Sequence, residues 1–151
     1  MAVSEVEQVL SEAAAEVLET MFFTSLAAED EPPPPITEPV VCARLSFHGA
    51  PSGHLGVRVP LRTAREIAAN FLGLEDAELT EARVGDVICE LSNMVCGLVL
   101  GRLESSGLFE LTRPELGSGE SGNPRYAPAA SRRLPLEGGV MEVWLEWESP
   151  Q

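Results

Sequence analysis

The spacing of apolar residues predicts three helices. Residues 4–26 carry apolar side chains every three or four positions, with glutamates between them, as an amphipathic helix does. Residues 63–72 repeat this spacing in a shorter helix, which Gly73 ends. A long third helix is predicted from Thr80, its N-cap, to about Leu103. The apolar face of this third helix comprises Val84, Val87, Ile88, Leu91, Met94, Val95, Leu98 and Val99.

Alternating apolar and polar residues predict two β-hairpins. Residues 40–47 and 55–59 alternate on either side of a Gly/Pro/Ser turn. Residues 132–136 and 140–148 do the same around Glu-Gly-Gly, and residues 108–112 are a further possible strand. Hairpins combined with helices indicate an α+β (α/β) fold, in which helices cover a mostly antiparallel sheet.

Two segments lack either periodicity. Residues 29–39, EDEPPPPITEP, are predicted to form a stiff acidic linker, because successive prolines remove backbone donors and favour an extended chain. Residues 114–131 are rich in Gly, Pro and Ser and are predicted to form a loop. That loop contains a GxGxxG match, but Asn-Pro follows it instead of a helix, so nucleotide binding is not expected. The length of 151 residues fits a single domain, residues 1–151.

The charge balance argues against polyanionic partners. The chain has 24 acidic and 10 basic residues, all ten of them arginine, and a formal net charge of -14. Its average field repels nucleic acid and anionic membranes, so we expect neither as a partner. The N-terminus is acidic where a signal peptide is basic, and an odd number of cysteines, 3, suits reduced thiols. We therefore expect a cytoplasmic location.

One face of the third helix carries the most informative polar residues. At about 100° per residue, the non-apolar positions fall within an arc of about 80°. They are Asp86, Glu90, Asn93, Gly97, Gly101 and Glu104. A glycine inside a helix costs about 1 kcal/mol relative to alanine, which suggests that something approaches this face closely. The alternatives are packing against another element of the same chain and an ordinary solvated face.

No metal site or catalytic triad is predicted. His48 and His54 flank a turn without an HExxH or CxxC motif nearby. No GxSxG occurs, and neither histidine has an identifiable nucleophile as partner.

The segment DVICELSNMVCGLVLGRL resembles the signature helix of the CheC/CheX/FliY family of chemotaxis phosphatases, whose motif is [DS]xxxExxN followed by a proline. Asp86, Glu90 and Asn93 match the motif, and Pro114 lies somewhat closer than the usual spacing. The opening EVLETMFF, the order of elements and the presence of a single motif resemble the CheX branch. The resemblance implies a CheX-like domain with one long signature helix.

The resemblance also implies an activity. Members hydrolyse the aspartyl phosphate of CheY-like response regulators: the motif Glu, here Glu90, pairs with a lysine of the regulator, and the motif Asn, here Asn93, orients the attacking water. An acyl phosphate has a good leaving group, so positioning and charge stabilisation can suffice. Asp86, Gly97 and Gly101 would then contact the partner. Magnesium would belong to the regulator, with no cofactor in this chain, and two copies would form a homodimer.

Two alternatives to a phosphatase remain open. The first is a non-catalytic CheX-like or flagellar-switch-like module that binds a partner through the same helix face. The second is a structural dimer in which that face packs against itself.

Overall fold

A computed structural model of the chain describes residues 3–27, 36, 38–49, 52–103, 107–117 and 126–148. Within these ranges the helices are α1 (Val3–Met21), α2 (Leu61–Leu72) and α3 (Glu81–Leu103), with a 3₁₀ turn at Asp76–Glu78. The strands are β1 (Val40–His48), β2 (Gly53–Pro60), β3 (Glu110–Leu111), β4 (Glu115–Leu116), β5 (Tyr126–Leu136) and β6 (Gly139–Glu148).

The described strands form one antiparallel sheet in the order β3-β1-β2-β6-β5, and β4 also pairs with β1. The hairpin β1–β2 runs in register from Val40 opposite Pro60 to Phe47 opposite Gly53. The second hairpin, β5–β6, joins the first through β2 and β6. Helices beside an antiparallel sheet confirm the α+β prediction.

The core lies between one face of the sheet and the helices. Of the alternating residues predicted for one face of β1, Ala43, Leu45 and Phe47 are buried, whereas Val41 near the strand's start is half-buried. Helix α3 contacts both α1 and α2 and lies against β1 and β2. The largest fully buried side chains include Leu10, Leu18, Phe22, Phe47, Leu55, Ile67, Ile88, Leu91, Leu134, Met141 and Leu145.

Helix α3 begins and ends where its sequence predicts. The Arg83 N–H donates to Thr80 Oγ1 at 3.1 Å, which satisfies one of the free donors of the first turn. By length and composition this helix could cross a membrane, since an 18-residue window has a mean hydropathy of 1.5. However, 56% of that window is buried inside the fold, so its apolar face serves as core.

Helix α1 ends earlier than predicted, at Met21 instead of residue 26. Phe23 adopts a positive φ of 52°, and the Thr24 N–H donates to the Leu18 carbonyl at 2.9 Å, which turns the chain out of the helix. The chain beyond the turn is extended, and Leu26 forms a β-bridge with Leu136. The residues after Met21 thus form a turn and a β-bridge instead of another helical turn.

The prediction that residues 114–131 form a loop is wrong at both ends of the segment. Its start contains β4, which pairs with β1, and its end contains the first part of β5, which begins at Tyr126 instead of residue 132. Pro128 is tolerated because β5 is bonded to β6 along one side, and the register shifts between Pro128 and Ala130. The predicted strand at 108–112 is shorter than expected, and most of the linker at 29–39 lies outside the described residues.

We predict that Gly56→Ala lowers the free energy of unfolding by about 1–3 kcal/mol, because overpacking forces neighbours out of place. Gly56 lies opposite Trp144 on the sheet face away from the helices, and a methyl group there would overlap the buried indole ring. Denaturant unfolding measures the change.

Gly101→Ala is the matched control. A methyl group at Gly101 meets no described atom within 4 Å, apart from the helix's own backbone and adjacent residues. Alanine should therefore raise the free energy of unfolding by about 0.5–1 kcal/mol through helix propensity. A Gly56→Ala variant as stable as the parent protein would show that the Trp144 ring does not cover the backbone as described.

Candidate functional site

The predicted site residues share one surface of α3. Asp86, Glu90, Gly97 and Gly101 are exposed and Asn93 is half-buried, whereas Glu104 lies outside the described residues. We call these five described residues, Asp86 to Gly101, the polar stripe. Glu90 and Asn93 are about 4.5 Å apart along the axis and about 60° apart around it, so both can enter one site.

Intramolecular packing does not account for the glycines of the polar stripe. A methyl group built on Gly97 or Gly101 has no described atom within 4 Å, apart from the helix's own backbone and adjacent residues. By contrast, Gly85 lies on the other side of the helix and contacts Leu116. In the described part of the chain, the alternative of close packing against a neighbouring element is therefore wrong for this stripe.

A groove runs along one side of the polar stripe. Its helical wall is formed by Asp86, Cys89, Glu90 and Asn93, its opposite wall by residues 111–114, and its volume is about 690 Å³. The opposite wall is fixed to β1: the Thr112 N–H donates to the Ser46 carbonyl, and the Ser46 N–H donates to Thr112 Oγ1, both at 2.9 Å. Pro114, the proline that follows the motif in the sequence, lies in this wall. We call this cavity the amide groove, after the Asn93 carboxamide.

A second, smaller groove lies on the other side of the polar stripe. It has a volume of about 390 Å³, and Asp86 and Glu90 contribute to it as well as to the amide groove. Its remaining walls are mainly apolar, from Phe71, Leu72 and Val87, with Arg83 at its side. Phe71 is held by stacking on Phe22, with ring centroids 4.5 Å apart. The two carboxylates therefore form a ridge between two grooves.

The polar groups of the stripe have no partner among the described residues. Among the residues that the structure describes, the side chains of Asp86, Glu90 and Asn93 take part in no hydrogen bond or ion pair. A carboxylate can accept hydrogen bonds from a cation, and a carboxamide can both donate to and accept from water without acting as a base. The stripe can thus hold a cationic group and a water molecule side by side.

The thiols near the site are not activated nucleophiles. Burial raises the pKa of Cys89, and the negative charge of Asp86 raises it further. Burial also raises the pKa of Cys96 to about 12. Both thiols are therefore protonated at neutral pH, and covalent catalysis by either one is not supported.

The described part of the chain contains no candidate metal site, because no three His, Cys, Asp or Glu side chains in it lie together so that they could hold an ion. His48 is exposed, and His54 is buried with its Nδ1 2.8 Å from Ser46 Oγ. The histidines thus belong to the β1–β2 hairpin and not to the polar stripe.

Three further residues of the groove, Thr112, Arg113 and Cys89, do not belong to the motif. Cys89 lies within the signature segment, one position before Glu90. Thr112 and Arg113 directly precede Pro114, which was the only signal that could have pointed to them. Their position opposite α3 depends on pairing between β3 and β1, which the local pattern does not encode.

Comparison with known proteins identifies relatives of this arrangement. The sequence profile of the family described as chemotaxis phosphatase CheX matches residues 41–132. A search of curated proteins finds no significant match. Three similar solved structures are all described as CheX, and at 24% identity or less each likeness shows the fold alone.

CheX from Vibrio vulnificus has a TM-score of 0.71 and 24% identity, covering 98% of this chain and 99% of that one. CheX from Desulfovibrio desulfuricans has a TM-score of 0.75 and 19% identity, covering 95% and 99%. The third structure is a complex of CheX with CheY, BeF3 and Mg from Borrelia burgdorferi, with a TM-score of 0.68, 18% identity and coverage of 94% and 97%.

We predict that Asp86→Asn accelerates alkylation of Cys89 at pH 8. Removing the Asp86 charge lowers the pKa of the Cys89 thiol and raises its thiolate fraction, while the larger effect of burial remains. The expected acceleration is therefore modest, about twofold. Iodoacetamide labelling followed by peptide-resolved mass spectrometry measures it.

Asp76→Asn is the control for this experiment, because Asp76 is exposed and paired with Arg65 at 2.8 Å. It should leave the Cys89 labelling rate unchanged. Equal rates in the Asp86 variant and the parent protein would place the carboxylate away from the thiol and contradict the geometry of the groove.

Proposed function

Because the chain belongs to the chemotaxis phosphatase CheX family, we propose that it hydrolyses the aspartyl phosphate of a CheY-like response regulator. The observation that carries the proposal is the pair formed by exposed Glu90 and half-buried Asn93, whose polar groups have no partner in the described part of the chain. The similar fold of a CheX bound to CheY with BeF3 and Mg supports this class of partner.

The shape of the polar stripe fits insertion into another protein. The ridge of Asp86 and Glu90 projects between two grooves, so loops of the partner can occupy the grooves while the ridge enters a recess. Gly97 and Gly101 continue the stripe without side chains and leave room for the partner's backbone. Because the helix is fixed in the core, it presents these groups without reorganisation.

In the proposed reaction, Asn93 holds a water molecule in line with the phosphorus. The water oxygen forms a bond to phosphorus while the bond from phosphorus to the aspartyl oxygen breaks. The regulator's carboxylate leaves with the electron pair, and the proton of the water passes to solvent or phosphate. Orientation of the attacking water is the main contribution required, because the acyl phosphate already has a good leaving group.

Glu90 is proposed to dock the complex by pairing with a cationic side chain of the regulator, a lysine by family resemblance. A carboxylate that enters a partner's water-poor recess gains more from this pairing than one at an open surface. Asp86, one turn before Glu90, is proposed to contact the partner next to it. We assign the magnesium ion to the regulator and no cofactor to this chain.

We also propose that the protein acts in the cytoplasm as a homodimer. The described outer edge of β5 is paired only near its end, where Leu26 meets Leu136, and an open edge strand is a template for another chain. Sedimentation equilibrium should report twice the mass of the 16.2 kDa chain. A monomer at high micromolar concentration would contradict the pairing.

We predict that Asn93→Ala lowers the accelerated dephosphorylation by at least about a hundredfold, which is typical for removal of one positioned polar group. The fold should be unaffected because the Asn93 side chain supports no other described residue. The assay follows loss of phosphate from a phosphorylated CheY-like regulator.

Asn70→Ala is the matched control. This exposed carboxamide on α2 lies 3.4 Å from Thr24 Oγ1 and outside both grooves, so its removal should preserve the rate. Full activity of the Asn93 variant would rule out the mechanism. A parent protein that binds the regulator while phosphate is lost at the intrinsic rate would instead establish the non-catalytic binding module.

A further inference from the structure

Arg113 is the one basic residue among the described residues that line the amide groove. It is exposed and lies in the wall opposite α3, between Thr112 and Pro114. The formal net charge of the whole chain is -14, so a cation in this groove contrasts with the average surface.

The guanidinium group of Arg113 has no partner among the described side chains. Among the described residues Arg113 forms no ion pair, although Asp86 and Glu90 line the same groove. Other arginines do find carboxylates: Arg65 pairs with Asp76 at 2.8 Å. The charge of Arg113 therefore remains available to an incoming group.

The backbone that carries Arg113 is held on both sides. Thr112 exchanges two hydrogen bonds with Ser46 of β1, and the Gly117 N–H donates to the Cys42 carbonyl at 2.9 Å. Pro114 restricts the chain directly after Arg113. A fixed backbone reduces the entropy lost when a long side chain binds a ligand.

The position of Asn93 locates the phosphoryl group in this groove. A water bound to Asn93 lies about 3 Å from the amide, and it lies about 3–3.5 Å from the phosphorus that it attacks. The phosphorus is then at most about 6.5 Å from the carboxamide. Arg113 lies in the opposite wall of the groove that Asn93 lines. The carboxylates of Asp86 and Glu90 would repel a phosphoryl dianion, so a cation beside it has a clear role.

We infer that Arg113 binds the phosphoryl oxygens of the partner and makes the site selective for the phosphorylated regulator. This inference rests on the proposed function and deepens it. The planar guanidinium matches two phosphate oxygens at once and can stabilise the charge that spreads over the equatorial oxygens during transfer. Glu90 and Arg113 then have opposite tasks: the first pairs with a cation of the regulator and the second with its phosphoryl group.

Arg113→Gln tests the inference with two measurements. The first is the affinity for a CheY-like regulator loaded with beryllium fluoride and magnesium, compared with the affinity for the bare regulator. The ratio of these affinities should fall at least about tenfold, whereas binding to the bare regulator should change by less than about twofold. The second is the dephosphorylation rate at saturating enzyme, which should also fall at least about tenfold. Arg113→Lys should restore part of both losses.

Two arginine variants control for charge. Arg83→Gln removes the same charge from the smaller groove beside the polar stripe, so it should change both affinities by the same factor and keep their ratio. Arg62→Gln alters a side chain that is 75% exposed near the start of α2, about 14 Å along that helix from Phe71, and should match the parent protein.

The outcomes separate this inference from the proposed function. A parent protein that accelerates dephosphorylation, with an Arg113→Gln variant that keeps both the rate and the affinity ratio, overturns the inference alone. An equal decrease of the affinity ratio in the Arg83 and Arg113 variants also overturns the inference, because it would indicate a general effect of charge. If the parent protein prefers the loaded regulator but does not accelerate phosphate loss, the proposed phosphatase activity is wrong. The ratio of affinities still tests the role of Arg113 in that case.

Discussion

The orientation of α3 is the constraint on which the site depends. Most of its apolar positions are buried against the rest of the core, and Ile88, Leu91 and Val95 are fully buried. A shift of one residue would turn the helix by about 100° and bury polar groups in place of these side chains. Such burial without partners is costly, so the packed core fixes which face is outward. The same packing that stabilises the domain thereby presents Glu90 and Asn93 to solvent.

The elements beside α3 convert an exposed helix face into a shaped surface. On one side, the end of α2 supplies Phe71 and Leu72, and on the other, β1 anchors the segment that carries Arg113. The resulting ridge carries the carboxylates of Asp86 and Glu90. Beside it, the Asn93 carboxamide lines the amide groove, and Arg113 lies in the opposite wall of that groove. This distribution suits a partner that brings both a cation and an anion, as the active centre of a phosphorylated regulator does.

The local sequence pattern predicted a feature correctly wherever that feature lies within a single element. The limits of α3, its Thr80 cap and the common face of Glu90 and Asn93 all follow from helical geometry and agree with the structure. Pairing between distant segments was not predictable in this way. The first part of β5 contains Pro128 and small residues, and it becomes a strand because β6 offers a bonding edge. Arg113 could not be predicted as a site residue, because it faces α3 across a groove that tertiary packing forms, and no local spacing signals that arrangement.

We propose that the polar stripe of α3 enters the active centre of a phosphorylated partner. The decisive experiment is a crystal structure of the chain bound to a CheY-like regulator carrying beryllium fluoride and magnesium. We expect the Asn93 carboxamide to lie within about 6.5 Å of the beryllium, with room for one water between them. A complex in which the regulator binds elsewhere and leaves the Asn93 side chain in solvent would rule out this mode of binding.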